Sequence, residues 1–160
     1  MNESVRVVLW RHGRTGWNVE SRFQGSSDIG LDAAGVAQAR RAGRLLARLN
    51  PAAVVSSDLV RAVDTARALA VPQGLPVVTD PDLRETFAGT WQGLTREQIR
   101  ASDVENFRRW LAGSDVRAGG GESRSEVGER VAAAVERHAA LLEPGATLVV
   151  VTHGGATRAG

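Results

Sequence analysis

The sequence predicts an α/β fold: a three-layer sandwich in which helices cover both faces of a mostly parallel central sheet. Short apolar runs rich in valine alternate with amphipathic stretches of helical length, which is the pattern of parallel sheets with crossover helices. The length of 160 residues and the 42% hydrophobic content fit one domain with its own core. We therefore treat residues 1–160 as a single domain.

Four apolar runs predict the strands. They are Val5 to Trp10, expected to be a buried central strand, Ala53 to Ser56, Pro76 to Thr79 and Thr147 to Val151. Capping residues predict where four helices begin, namely Asp32, Asp58, Thr95 and Ser123, and residues 103–111 are expected to form a further helical piece. Residues 16–30 and 83–94 are polar and contain glycines, which predicts two ordered loops.

Two of the three histidines follow predicted strands. His12 comes after the first strand and His153 after the last, and each precedes a glycine. Because the C-terminal ends of parallel strands meet at one edge of the sheet, where ligands bind, we expect the two side chains to lie together. Either histidine alone would be an ordinary loop residue, but the pair indicates a phosphate site in which one imidazole attacks. His138 lies inside a helical stretch and is expected at the surface.

Phosphate binding and proton transfer require further residues. Arg11 adjoins His12, and Arg61 lies one turn into the helix after the second strand, so both can supply positive charge to a phosphoryl group. Most arginines here are expected to be solvated, but the small polar pair Ser56-Ser57 before the helix distinguishes Arg61. Glu85 follows the third strand and could protonate a leaving alkoxide. A loop glutamate paired with its neighbour Arg84 is the alternative.

Six blocks in this order resemble the histidine phosphatase superfamily, in its phosphoglycerate-mutase-like branch. The first triplet alone is weak evidence, but the six blocks together are highly specific and run from about residue 5 to 158. Residues 56–66, 83–98 and 120–124 look most like glucosyl-3-phosphoglycerate phosphatases. The blocks are Arg11-His12-Gly13, Thr15 with Trp17-Asn18, Ser56-Ser57-Asp58-Leu59 with Arg61-Ala62 and Thr65-Ala66, Leu83-Arg84-Glu85, Gly121-Glu122-Ser123 and Thr152-His153-Gly154-Gly155.

The resemblance implies roles for individual residues. It implies that His12 becomes a phosphohistidine and that Glu85 is the general acid and then the base. It further implies phosphate binding by Arg11, Arg61 and His153, extra donors in Asn18 and the Gly154 backbone N–H, and substrate contacts from Gln24, Gly25, Glu122 and Ser123. No metal and no cofactor are implied, because arginine and imidazolium supply the positive charge.

The implied function is metal-independent hydrolysis of a small phosphomonoester, such as a sugar phosphate or a phosphoglycerate derivative. A phosphoglycerate-type mutase is an alternative. It is disfavoured because mutases of the family carry a longer insertion after the equivalent glutamate than residues 86–94 provide. A non-catalytic protein that binds a phosphorylated ligand is another alternative on the same fold. The presence of all five catalytic residues disfavours it.

Composition restricts the partners and the compartment. The chain has no cysteine, no apolar run long enough to cross a membrane and no leader in Met1 to Ser4, so we expect a cytoplasmic protein without membrane contact. The pI of about 10.7 accompanies a net charge of only +2, and the arginines alternate with acids, so no nucleic-acid partner is expected. The expected partner is a small phosphorylated metabolite, and a homodimer is a further expectation.

The length of the chain leads to one more expectation. Relatives in this family continue past the second histidine motif with a helix and a further strand that flanks the first strand. Because this chain stops at Gly160, we expect those C-terminal elements to be missing and the first strand to have an exposed edge.

Overall fold

Four parallel strands form the central sheet of the computed structural model, which describes residues 4–159. They are β1 (Arg6–Arg11), β2 (Ala53–Ser56), β3 (Val77–Thr79) and β4 (Thr147–Thr152), in the spatial order β1-β4-β2-β3. The predicted α/β fold is confirmed. The expectations about a leader and a chain end rest on Met1 to Glu3 and on Gly160. These residues lie outside the described part of the chain.

Seven α-helices accompany the strands in residues 4–159. They are α1 (Gly16–Val19), α2 (Ala33–Leu46), α3 (Val60–Ala70), α4 (Arg96–Ser102), α5 (Val104–Leu111), α6 (Arg124–Ala139) and α7 (Gly154–Ala159). Single 3₁₀ turns lie at Ala47–Leu49, Val71–Gln73, Pro81–Leu83, Gly89–Trp91 and Ala118–Gly120. The loop predicted over residues 16–30 therefore begins with a short helix, whose N-cap is Thr15.

The core has two layers because side chains alternate between the faces of a strand. On β4, Leu148 and Val150 face a cluster built with α6 and α7, whereas Val149 and Val151 face a cluster built with α3. All six residues of β4 are buried, so β4 is the central strand. Helices on both faces give the expected three-layer sandwich.

β1 is not the buried central strand that its apolar sequence predicts. It pairs with β4 on one side only and forms an edge of the sheet. Val8 and Trp10 pack into the core, but Val7 and Leu9 are 38% and 43% exposed. Within residues 4–159 the outer side of β1 is thus unpaired, because strand order rather than hydrophobicity decides which strand lies at an edge.

Most predicted helix caps are present. The side chains of Asp32, Thr95 and Ser123 each accept a backbone N–H in the first turn of the helix that follows. The prediction for Asp58 is wrong, because its carboxylate binds the Arg84 guanidinium at 2.7 Å between Oδ1 and Nε. The first N–H of α3 instead donates to Asp28, from a loop distant in sequence.

His138 also differs from expectation. Its Nε2 lies 2.8 Å from Oδ2 of the buried Asp80, and that carboxylate additionally accepts a bond from Arg137. His138 is therefore half-buried and fixes the end of α6 to the residue after β3, rather than lying free at the surface.

Candidate active site

The C-terminal ends of the strands bring the sequence-predicted residues together. His12 follows β1, Ser57 follows β2 and His153 follows β4, while Glu85 lies shortly after β3. The imidazole rings of His12 and His153 have centroids 5.1 Å apart with planes inclined by 58°. The two histidines thus meet at one sheet edge, as parallel strand topology requires.

A cleft of about 400 Å³ opens at this edge. Its lining combines five arginines with one carboxylate and a wall of aromatic side chains. Positive charge therefore dominates, which suits an anionic ligand. The lining side chains are Arg11, His12, Trp17, Asn18, Arg22, Phe23, Gln24, Arg61, Glu85, Arg96, Trp110 and Arg158, with Gly25 and Gly155 contributing backbone.

His12 is held in one tautomer by its own backbone. Its Nδ1 lies 2.7 Å from the carbonyl oxygen of Gly13, and because a carbonyl only accepts, Nδ1 carries the proton. Burial lowers the pKa of His12 to about 4; the bond to Gly13 opposes the shift, and the charges of Arg61 and Arg11 add to it. At neutral pH Nε2 therefore has a free lone pair, as a nucleophile requires.

Arg61 is fully buried although it carries charge. Its two terminal nitrogens donate to the carbonyls of Ser27 (2.6 Å) and Gly25 (2.8 Å). Burial lowers its pKa to about 10, partly offset by Glu85 and Asp28, so the guanidinium remains charged at neutral pH. Its Nε is buried without a hydrogen-bond partner in residues 4–159. A buried charged donor with no partner points to an anion as its natural ligand.

His153 presents the same feature. It is fully buried, Nε2 lies 2.8 Å from the Ser57 hydroxyl, and Nδ1 has no partner among the described residues. Burial lowers the pKa of His153 well below 6.5, with further lowering from Arg61 and His12. The ring is therefore neutral and supplies a second unused polar atom beside His12.

Glu85 is fixed by backbone donors around its carboxylate. Oε1 accepts the N–H groups of Thr86 (2.8 Å) and Ala156 (3.0 Å), and Oε2 accepts that of Gly155 (2.9 Å). A Cβ at Gly155 would lie 2.3 Å from Oε1, so only glycine allows this approach. The predicted alternative pairing of Glu85 with Arg84 is absent, because Arg84 binds Asp58.

Arg130 of α6 clamps the segment that carries Glu85. Its guanidinium donates to the carbonyls of Asp82 and Arg84 (both 2.8 Å) and of Glu85 (3.1 Å). It also forms a two-pronged ion pair with Glu122 at 2.7 and 2.8 Å. No sequence signal singled out Arg130, since an arginine inside an amphipathic helix is ordinarily solvated.

The remaining predicted residues divide into two groups. Asn18, Gln24 and Gly25 line the cleft. Gly154 lies against Arg11, since a Cβ there would be 3.1 Å from that guanidinium carbon.

Glu122 and Ser123 do not line the cleft that contains His12. Glu122 is paired with Arg130 and accepts the Phe87 N–H at 2.8 Å. Ser123 caps α6. These contacts position neighbouring segments, and the expected substrate contacts of Glu122 and Ser123 stay predictions.

Sequence reasoning also passed over several cleft residues. These are the rim arginines Arg22, Arg96 and Arg158 and the aromatic residue Trp110. They lie in loops and helix ends whose spatial proximity depends on the whole fold. Among residues 4–159, no group of three or more His, Cys, Asp or Glu side chains is arranged to hold a metal ion. In the same part of the chain, no helix is long and apolar enough to cross a membrane.

The arrangement of His12, His153, Arg61 and Glu85 agrees with a comparison with known proteins. The family model of the histidine phosphatase superfamily (branch 1) matches residues 7–160. The chain belongs to this superfamily. Named phosphatases are among the proteins that resemble it in sequence. The glucosyl-3-phosphoglycerate phosphatase of Mycobacterium tuberculosis is 41% identical over 157 residues, which cover 94% of this chain and 70% of that protein.

A second relative and a solved structure are similar to this chain over most of its length. A metal-independent phosphoserine phosphatase of Arabidopsis thaliana is 38% identical over 162 residues, covering 99% of this chain and 68% of that one. The solved structure of a mycobacterial glucosyl-3-phosphoglycerate phosphatase with VO3 superposes with a TM-score of 0.90 at 42% identity, covering 98% and 79% of the two chains. This histidine phosphatase is accordingly a hydrolase of small phosphomonoesters.

Proposed function

We propose that the protein hydrolyses a small phosphorylated metabolite through a phosphohistidine on His12, without a metal ion. The observation that carries this proposal is the pair of buried polar atoms without partners in residues 4–159, Arg61 Nε and His153 Nδ1, beside a neutral imidazole with a free Nε2. A phosphoryl group bound by these two side chains would place its phosphorus next to that lone pair. Arg11 adds charge at the mouth of the cleft.

The first chemical step forms a P–N bond and breaks the ester P–O bond. Nε2 of His12 attacks phosphorus, and the departing alkoxide takes a proton from Glu85. Oε1 of Glu85 already accepts two N–H groups and Oε2 only one, so Oε2 keeps a lone pair for that proton.

The second step releases the phosphate. A water attacks the phosphohistidine, gives its proton to the Glu85 carboxylate, and the P–N bond breaks as the electron pair returns to Nε2. Fixed positive charge from Arg61 and Arg11 stabilises the oxygens during both steps, which is the part that a metal ion plays in other phosphatases.

The rim of the cleft favours a substrate that carries a second anionic group. Arg96 and Arg158 are exposed and line the cleft with Arg22, whose guanidinium is tied to Glu20 and the Gly93 carbonyl. Relatives named for glucosyl-3-phosphoglycerate and phosphoserine act on phosphate esters that also bear a carboxylate. We therefore propose a phosphorylated carboxylate, including a glycosylated phosphoglycerate, as the substrate class.

A direct test measures phosphate release from sugar phosphates, phosphoglycerates and phosphoserine in the presence of a chelator. We expect turnover under these conditions. When the reaction is stopped without acid, the wild-type protein should carry an acid-labile and base-stable phosphoenzyme, and His12→Asn should carry none. Activity that a chelator abolishes and a divalent ion restores would contradict the proposal, as would an acid-stable phosphoenzyme.

Compartment and assembly complete the proposal. We propose a cytoplasmic location, in keeping with a chain that has no cysteine, and a homodimer. Cell fractionation tests the first. Sedimentation analysis of the wild-type protein tests the second, and a monomeric wild-type protein would contradict it.

A further inference from the structure

Ser57 is the first residue after β2, and its hydroxyl is enclosed by the site. The residue is fully buried. Its Oγ lies 2.8 Å from Nε2 of His153 and accepts the backbone N–H of Leu59 at 3.3 Å. Within residues 4–159 these are the hydroxyl's two hydrogen-bond partners. Nothing in the phosphoryl-transfer steps assigns this residue a task.

The number of protons and lone pairs fixes the direction of the bond between Ser57 and His153. A serine hydroxyl has one hydrogen to donate and two lone pairs to accept with. The Leu59 N–H uses one lone pair. If His153 carried its proton on Nε2, it would use the other lone pair, and the hydroxyl hydrogen would be buried without an acceptor. Buried donors are almost always paired, so the hydroxyl donates to Nε2.

We propose that Ser57 is a positioning residue that holds His153 as the Nδ1–H tautomer and so turns Nδ1 into a donor for the phosphoryl group. This inference rests on the proposed phosphoryl chemistry at His12. The independent observation is that Nδ1 is the ring atom that is buried and has no partner among residues 4–159. Ser57 thereby resolves an ambiguity that a neutral imidazole otherwise leaves open.

The alternative tautomer would harm the site. A lone pair on Nδ1 would face the phosphate oxygens and repel them, while Nε of Arg61 would remain as the only buried side-chain donor without a partner among residues 4–159. Burial, with further lowering from Arg61 and His12, keeps the pKa of His153 well below 6.5, so the ring is not an imidazolium at neutral pH and gains no donor in that way. The tautomer therefore decides whether His153 stabilises or opposes phosphoryl transfer.

The wild-type protein allows a direct measurement. The chain has only 3 histidines, so long-range proton–nitrogen NMR spectra of histidine-labelled protein at neutral pH are simple to assign with single-histidine variants. We expect a pyrrole-type Nδ1 and a pyridine-type Nε2 for His153. A protonated Nε2 on His153 overturns the inference. This readout does not depend on turnover, so it stands even if the proposed phosphatase activity is not found.

Ser57→Ala, with Ser56→Ala as its matched control, tests the consequence. Ser56 is equally buried and neighbouring, but its hydroxyl donates to the Ser57 carbonyl. We expect Ser57→Ala to shift His153 toward the Nε2–H form and to lower kcat by roughly 100- to 1000-fold, the usual effect of losing one preorganised donor. Ser56→Ala should retain the wild-type spectrum and activity.

Two outcomes would refute the positioning role. One is a Ser57→Ala protein that keeps the Nδ1–H tautomer, and the other is an equal loss of kcat in both variants, which would indicate a general disturbance of the β2 end. If Ser57→Ala fails to fold, the wild-type spectrum alone decides.

Discussion

The imidazoles of His12 and His153 lie with ring centroids 5.1 Å apart, yet different groups set the protonation of each ring. A backbone carbonyl holds His12 with its proton on Nδ1, and a buried hydroxyl contacts Nε2 of His153. Burial makes both rings neutral. The pair therefore combines a lone pair at His12 Nε2 with a polar atom at His153 Nδ1 that has no hydrogen-bond partner within residues 4–159.

Replacing the nucleophile should abolish the covalent intermediate. His12→Asn removes the attacking lone pair but leaves Arg61 and His153 in place, so we expect kcat to fall by roughly 10⁴- to 10⁶-fold while vanadate or phosphate still binds. Turnover assays and equilibrium anion-binding measurements on the same preparation separate the loss of catalysis from any loss of anion binding. A phosphohistidine trapped on this variant would show that another residue is the nucleophile.

The low pKa of His12 predicts a pH-dependent stability. The pKa of His12 is about 4 in the folded protein and the reference value is 6.5. Between these pH values the imidazole is protonated in the unfolded chain and neutral in the folded protein. Stability is thus complete above pH 6.5 and is lost as the pH falls toward 4. As the pH falls from about 7 to 5, protonation of His12 in the unfolded chain should lower the free energy of unfolding by about 2 kcal/mol.

Denaturant unfolding at those two pH values, in phosphate-free buffer, measures this cost. His12→Asn should lose about 2 kcal/mol less than the wild-type protein over the same interval. His153, whose pKa is shifted in the same direction, remains in both proteins and accounts for part of the residual slope. Parallel pH profiles for the two proteins would contradict the assigned state of His12.

The sequence could predict what depends on local pattern and strand topology. The alternation of strands and helices, the caps at Asp32 and Ser123, and the meeting of His12 with His153 all follow from such rules. Neither the position of β1 at the sheet edge nor the cap that Asp28 gives to α3 follows from them. Both depend on which distant segments become neighbours, and local hydrophobicity does not encode that.

The same reason explains the site residues that were missed or placed differently. Arg130 and Glu122 each resemble ordinary surface residues in sequence. Their two-pronged ion pair exists only because α6 crosses the segment that leads into Glu85. The family motif that contains Glu122 does not distinguish a residue that contacts substrate from one that positions a neighbour.

Gly155 should be intolerant of even one methyl group. A Cβ at this position would lie 2.3 Å from Oε1 of Glu85, so Gly155→Ala must displace the carboxylate. Alanine otherwise favours a helix by about 1 kcal/mol over glycine, so we expect unchanged or higher thermal stability with kcat lowered by roughly 100-fold or more. Gly30→Ala, where a Cβ meets nothing within 4 Å, is the control. Wild-type kcat in Gly155→Ala would show that the position of Glu85 is unimportant.

The rim arginines should discriminate between substrates. Arg96 lines the cleft, whereas Arg100, also exposed and one turn later on α4, does not. Arg96→Ala is expected to raise KM for phosphoserine and phosphoglycerate by roughly 3- to 30-fold, the usual range for one exposed charged contact. KM for an ester of an uncharged alcohol should change little, and Arg100→Ala should leave both values unchanged. Equal effects on both substrates would remove Arg96 from carboxylate recognition.

Glu85→Gln provides the sharpest test of acid catalysis, provided that two substrates are compared. The three backbone N–H groups around the carboxylate accommodate two acceptor oxygens, so a glutamine amide must turn a donor toward at least one of them. Some loss of activity is therefore structural. The leaving group separates this loss from the chemical one, because the structural effect is common to all substrates.

A sugar phosphate has a poor leaving group and needs a proton, so phosphorylation of His12 from it should slow by roughly 100- to 10000-fold in Glu85→Gln. The aryl oxide of an aryl phosphate departs without being protonated, so phosphorylation of His12 from that substrate should slow much less. Water attack on the phosphohistidine still lacks its base. Rapid-quench measurements should thus show a fast burst followed by slow turnover with the aryl substrate. Equal slowing of the first step for both substrates would mean that Glu85 acts only by holding the site together.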